Sequence, residues 1–187
     1  SIWIHLALKA TMATSEHLWN KHFDYWWIYA KGSWVINDHS RVREAIERMN
    51  ASDVKATDEM QTFDFSKMYA TLTHTDIKDR LDEYVDLVFD HESTINPGYK
   101  FLTLKRAGQT YWGDTWKPSS KSQQCVTADK LKHWIHFLVD NLWITVGNAV
   151  FRQTQGIPMG TNCAPMIANL VLFMFELNFI RLQADRI

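Results

Sequence analysis

The stretch from Ala164 to Ile180 is apolar along almost its whole length, and a helix of that composition must be enclosed on most of its sides. Its length invites comparison with a membrane span, which takes about 20 residues. Against that reading, Asn162, Asn169, Glu176 and Gln183 recur every seven residues. Seven residues is close to two helical turns, so the four polar groups fall on one face as a narrow wet stripe. The expectation is a helix packed beneath a sheet, with no membrane partner. Thr161 or Asn162 is placed to cap its start, and Pro165 suits its first turn. With 187 residues, 46% of them hydrophobic, the chain has material for one domain or slightly more around such a helix.

The remaining elements follow from periodicity and punctuation. Residues 1–60 form a tryptophan-rich N-terminal segment with Trp3, Trp19, Trp26, Trp27 and Trp34, and they contain a helix over 40–50 marked by Val42, Ile46 and Met49 behind Ser40. Thr62 to Ser66 alternates as a short strand, with Phe63 and Phe65 on one face and Asp64 on the other. From Thr75 the spacing of Ile77, Leu81, Tyr84, Val85, Val88 and Phe89 predicts an amphipathic helix capped by Thr75 or Asp76. Residues 92–126, with Asn96-Pro97-Gly98, Gly108, Gly113 and Lys117-Pro118, read as an inserted hairpin of one or two short strands. Thr127 caps another helix, whose stripe is Leu131, Trp134, Ile135, Leu138 and Leu142 and which ends near Asn141. Trp143 to Arg152 is a hairpin turning at Gly147-Asn148. The fold class is therefore α+β, helix-rich with a small antiparallel sheet.

Charge limits the partners. Twenty lysines and arginines meet 21 aspartates and glutamates, so a polyanion cannot be held by overall charge, and any nucleic-acid site has to be local. Residues 74–94 carry seven acids and two bases, whereas 95–135 carry seven bases and two acids. Within the basic block, Lys100, Lys105, Arg106, Lys117 and Lys121 are interleaved with Tyr99, Phe101, Tyr111, Trp112 and Trp116, a pattern suited to backbone charge and base stacking on nucleic acid. His133, His136 and Asp140 share a helical face but fall short of a zinc ligand set. Cys125 and Cys163 lie apart, in surroundings unlike a disulfide framework, which points to a reducing, intracellular compartment.

Two constellations carry chemistry. Asp64 is a carboxylate on strand backbone, so it must face a polar cleft or pay for burial. In Gln155-Gly156-Ile157-Pro158-Met159-Gly160, two glycines let backbone approach a ligand while the proline stiffens the loop between them.

Thr62-Phe-Asp-Phe-Ser-x-x-Tyr69 resembles the first catalytic motif of reverse transcriptases, those of Penelope-like and related animal retroelements above all. The run from Gln155 through Leu170 is similar to the glutamine-glycine loop and following helix of that family. The likeness extends over most of the chain, through Ser33-Trp-Val-Ile-Asn37, Phe137-Leu-Val-Asp-Asn141 and Phe175-Glu176. It implies fingers over 1–60 and a partial palm over 61–187, with the basic hairpin as an insertion at about 92–126. By the same resemblance Asp64 and the carbonyl of Phe65 would bind Mg2+. Tyr69 would be the steric gate that selects deoxynucleotides, and Gln155 and Gly156 would lie beside the incoming nucleotide. Pro158, Met159 and Gly160 would line the nucleic-acid path. Family members continue into a hairpin bearing a Tyr-x-Asp-Asp motif and then a thumb, yet no Asp-Asp pair occurs in these 187 residues. One carboxylate is too few for a two-metal site. The expectation is thus a piece inactive alone and completed by a second polypeptide covering the palm, acting on an RNA template. The alternative is a noncatalytic component that binds structural RNA in a ribonucleoprotein complex.

Overall fold

The computed structural model describes residues 2–22, 39–51, 67–157 and 160–184. The Thr62 to Ser66 strand, and with it Asp64 and Phe65, lies outside the described residues, as do Pro158 and Met159. Contacts divide the chain into two units, one of Ser1–Thr14 with Lys67–Ile187 and one of Ser15–Ser66.

Ile77, Leu81, Tyr84, Val85, Val88 and Phe89 recur at intervals of three and four on helix α4 (His74–Ile95), and all six are buried. Thr73 sets its start: the hydroxyl accepts from the Asp76 amide at 3.0 Å and donates to the Asp76 carboxylate. The cap therefore precedes the expected Thr75 or Asp76, and Asp76 sits in the first turn, where the helix dipole favours its charge. Helix α5 (Ala128–Asp140) is capped by Thr127, which accepts from the Lys130 amide at 3.2 Å, and it ends at Asn141 as expected. Leu131, Ile135 and Val139 are buried, on the side where α5 packs against α4.

Three rungs join the two helices along one edge. Lys78 Nζ donates to Asp140 at 2.9 Å, His136 Nε2 reaches Asp82 at 2.9 Å, and Lys132 Nζ pairs with Asp86 at 2.5 Å. Steps of four residues up α4 meet steps of four down α5, so Asp82 and Asp86 of the acid-rich block meet basic groups of α5, while Asp76, Asp79 and Asp90 remain exposed.

The inserted segment is larger than a hairpin. Strands β1 (Phe101–Lys105), β2 (Thr110–Gly113) and β3 (Gln123–Val126) form an antiparallel sheet in the order β2-β1-β3. Leu102, Leu104 and Val126 are fully buried. Trp112 stands edge-on to Phe89 of α4, centroids 4.7 Å apart, and donates its indole N–H to Thr14 at 3.1 Å. Thr14 belongs to helix α1 (Ile2–His22), and its hydroxyl donates to Glu92 at 3.2 Å. That helix was not anticipated, although its buried Ile4, Ala7, Leu8, Thr11 and Thr14 show the required spacing.

A second antiparallel pair, β4 (Trp143–Val146) and β5 (Ala149–Arg152), turns at Gly147-Asn148 as expected, with Gly147 at φ 60°. Helix α6 (Ala164–Ala184) begins just after Cys163 with Pro165 in its first turn, so neither Thr161 nor Asn162 is its first flanking residue. It packs on α4, where Phe173 meets Tyr84 edge-on at 6.0 Å. Asn162 is exposed and Asn169 and Glu176 are half-buried, but Phe175, Phe179 and Leu182 also face outward, so the wet side of this helix is largely hydrocarbon. Among the described residues no helix is long and apolar enough to cross a membrane. In the second unit, α2 (His39–Asn50) carries an Arg43–Glu47 pair at 2.8 Å, one helical turn apart. The architecture is α+β.

Candidate functional site

Residues 69–73 and 153–157, some eighty positions apart in sequence, are tied into one junction. A single helical turn, α3 (Met68–Thr71), is launched from Lys67, which holds the left-handed conformation at φ 61°. That is a costly conformation for a residue with a Cβ. The Lys67 carbonyl accepts from the amides of Ala70 at 2.8 Å and Thr71 at 3.1 Å and from the Thr71 hydroxyl at 3.2 Å, which offsets the strain.

The chain leaving α3 then meets the glutamine-glycine turn. The Gly156 amide donates to Leu72 O at 2.7 Å, and the Ile157 amide donates to Tyr69 O at 2.7 Å. Thr73 and Gln155 form an antiparallel bridge. Gly156 has φ +86°, and a Cβ there would lie 2.3 Å from Tyr69 O and 3.0 Å from the Ala70 Cα. The close approach predicted for this glycine is thus made to the chain's own backbone at Tyr69.

Side chains complete the junction. Gln155 donates its amide to Thr71 O at 2.8 Å, and Gln153 donates to Gln155 O at 2.7 Å. His74 Nε2 lies 3.1 Å from Gly156 O. A carbonyl can only accept, so Nε2 carries the proton. Gln155 therefore serves here as a brace between the two segments, while the half-buried Tyr69 is set against Gly156 through its own carbonyl. His74 and Gln153 had not been singled out. Gln153 could have been found by its spacing of two from Gln155 on an extended segment, whereas nothing local marks His74, eighty-two residues from its partner. Behind the turn a void of about 10 Å³ is lined by Ile77, Leu138, Ile157, Thr161 and Ile167. Thr161 Oγ1 is buried and has no hydrogen-bond partner among the described residues. Gly160, at φ 123°, is exposed and has open space where a Cβ would point.

The five basic candidates lie on the three-stranded sheet and its connections. Lys100, Arg106, Lys117 and Lys121 are exposed and Lys105 is half-buried. The aromatics among them divide. Trp112 is spent on Phe89 and Thr14, whereas Trp116 is 57% exposed. Tyr111 carries Lys117 Nζ 4.9 Å and Lys105 Nζ 5.6 Å from its ring centroid, and Lys117 also donates to its phenolic oxygen at 3.1 Å. That hydrogen bond, with the nearby positive charge, holds the phenol below the usual tyrosine range.

Of the sequence-derived candidates, Tyr69, Gln155 and Gly156 are brought together, the basic residues form a separate group on the sheet, and Asp64, Phe65, Pro158 and Met159 fall outside the described residues. His136 and Asp140 are engaged with Asp82 and Lys78, and His133 is exposed. Among the described residues no three of His, Cys, Asp and Glu gather as a metal site. Both cysteines are free and buried. No protein-family model matches the chain, nor does any curated protein or solved structure.

Proposed function

We propose that the chain is the fingers and partial palm of a reverse-transcriptase-like protein, with fingers over 1–60 and palm over 61–187, which contributes part of a site for RNA-templated DNA synthesis and is inactive by itself. The observation that carries this reading is the junction of Tyr69 with Gln155-Gly156. Tyr69, the last residue of one motif, and the Gln155-Gly156 turn of the other, chosen separately for their likeness to two parts of one active site, meet in one backbone hydrogen-bonded junction. That is what a nucleotide pocket assembled from both would need.

In this reading Asp64 and the Phe65 carbonyl are the residues of this chain that would hold Mg2+, and the remaining carboxylates come from a second polypeptide or a continuation of the same one. When bound, the metal supplies charge neutralisation and alignment for in-line phosphoryl transfer. The chain's own part is to place a rigid ring at Tyr69 and keep it there, with Gly156 and Gln155 fixing the backbone beneath it. Mixing the chain with a polypeptide carrying a Tyr-x-Asp-Asp hairpin should give magnesium-dependent DNA synthesis that Asp64→Asn abolishes. A complex that forms and synthesises nothing would sink the catalytic reading.

A second reading, a noncatalytic RNA-binding component of a ribonucleoprotein, is favoured by one observation, that the basic group sits on a sheet apart from the junction. In that case Asp64→Asn and Tyr69→Ala leave assembly onto structural RNA unchanged.

A further inference from the structure

The positive charge of the three-stranded sheet converges on Tyr111. Lys117 donates to the phenolic oxygen at 3.1 Å, and both Lys117 and Lys105 stand over the ring, 4.9 Å and 5.6 Å from its centroid. Among the described residues neither ammonium pairs with a carboxylate, although Lys78, Lys132 and Arg80 on the neighbouring helices all do. The molecule therefore cancels charge between α4 and α5 and leaves it uncancelled on the sheet. The ring face attracts each ammonium, and with no carboxylate at hand among the described residues the local charge stays positive and draws an anion.

The donors define the anion. The phenolic oxygen accepts from Lys117 and lies against the Thr103 hydroxyl as well, so two ammonium groups and two hydroxyls gather about one half-buried ring. An oxyanion with several acceptor oxygens fits that set. Base stacking at Tyr111 or Trp112 does not, since Tyr111 has its ring taken by lysines and Trp112 is packed on Phe89, which leaves the exposed Trp116 as the aromatic to be tested. Lys100, Arg106 and Lys121, exposed on the same sheet and its loops, extend the charge beyond one phosphate toward a strand of them.

We propose that Lys105, Tyr111 and Lys117 grip a backbone phosphate of a single nucleic-acid strand without reading its bases. The inference rests on the reading of this chain as a nucleic-acid-handling protein, but not on catalysis.

Fluorescence anisotropy with the whole chain tests it, using a labelled single strand and an abasic sugar-phosphate strand of equal length at several salt concentrations. Both strands should bind within about twofold of each other, as expected when the backbone supplies the contacts. Lys105→Gln with Lys117→Gln should weaken both about tenfold and reduce the slope of log affinity against log salt by about 0.7, the value for one phosphate on a single strand. Tyr111→Phe should weaken both about threefold with the slope unchanged, since it removes a neutral donor. Trp116→Ala should change neither.

Poor binding of the abasic strand would overturn the proposal in favour of stacking, and so would a loss on Trp116→Ala that the lysine variant does not share. Unchanged affinity and slope in the lysine variant would overturn it outright. Equal competition by inorganic polyphosphate of matched charge would overturn the assignment to a nucleic-acid strand. No magnesium or synthesis enters the measurement, so a reconstituted complex that binds strands and makes no DNA would defeat the catalytic reading and leave this site standing.

Discussion

At Gly156 two demands coincide: a positive φ and the 2.3 Å that would separate a Cβ from Tyr69 O. Gly156→Ala should therefore cost about 2–4 kcal/mol in urea unfolding, overpacking added to backbone strain. Gly160→Ala meets only the strain, because nothing stands near its Cβ, and should cost about 1–2 kcal/mol. Equal losses at the two glycines would show that the approach to Tyr69 carries no weight. Thr161→Val offers the converse case. It removes a buried hydroxyl that has no partner among the described residues while keeping the side chain's shape, so stability should rise by about 1 kcal/mol. At Glu176, burial raises the carboxyl above its ordinary range. A raised carboxyl contributes stability below its unfolded pKa and loses it as pH rises through the folded value. Glu176→Gln should accordingly stabilise the chain at neutral pH and make no difference in acid, a comparison that thermal unfolding at several pH values resolves.

The unit of interest at the next scale is the α4–α5 pair. Hydrocarbon holds it, because Leu81, Leu131 and Ile135 are fully buried, and truncating Ile135 to alanine should cost about 2–5 kcal/mol. The three rungs beside that core are half-exposed, so each is worth only about 0.2–1 kcal/mol in a double-mutant cycle. Their role is alignment. Lys132→Glu should destabilise by placing like charge beside Asp86, and adding Asp86→Lys should recover most of the loss. If the double variant is no better than the single one, the rungs are incidental. The Lys78 hydrogen bond, helped by its charge, holds the Asp140 carboxyl below its ordinary range. That contribution is complete above the unfolded pKa and is lost as pH falls through the depressed folded value, so Asp140→Asn and the parent should converge in stability only in strong acid. Elements of this kind were largely legible beforehand. The α5 cap at Thr127 and the Gly147-Asn148 turn are local chemistry, read from a few adjacent residues. The α4 cap was displaced because Thr73, Thr75 and Asp76 are all competent caps, and only backbone conformation distinguishes them.

For the whole molecule, α6 presents Phe175, Phe179 and Leu182 outward beside the half-buried Glu176. This is the face on which the proposed completing polypeptide would lie. Replacing Phe179 and Leu182 by serine should leave the unfolding midpoint of the chain nearly unchanged while abolishing assembly with that polypeptide, as measured by sedimentation. The sequence by itself determined the α+β class, the helices of strong period and the turn at Gly147, because period, caps and glycines act over a few neighbouring positions, whereas Tyr69 and Gln155 were singled out only by a resemblance. It also isolated the basic block. Only the tertiary structure decided that α6 rests on α4, that charges of opposite sign meet between α4 and α5 while the sheet's lysines meet no carboxylate among the described residues, and that Gly156 fits against Tyr69 and not against an open ligand space. Each of those depends on which distant segments meet. A residue's own neighbourhood in sequence carries no term for that.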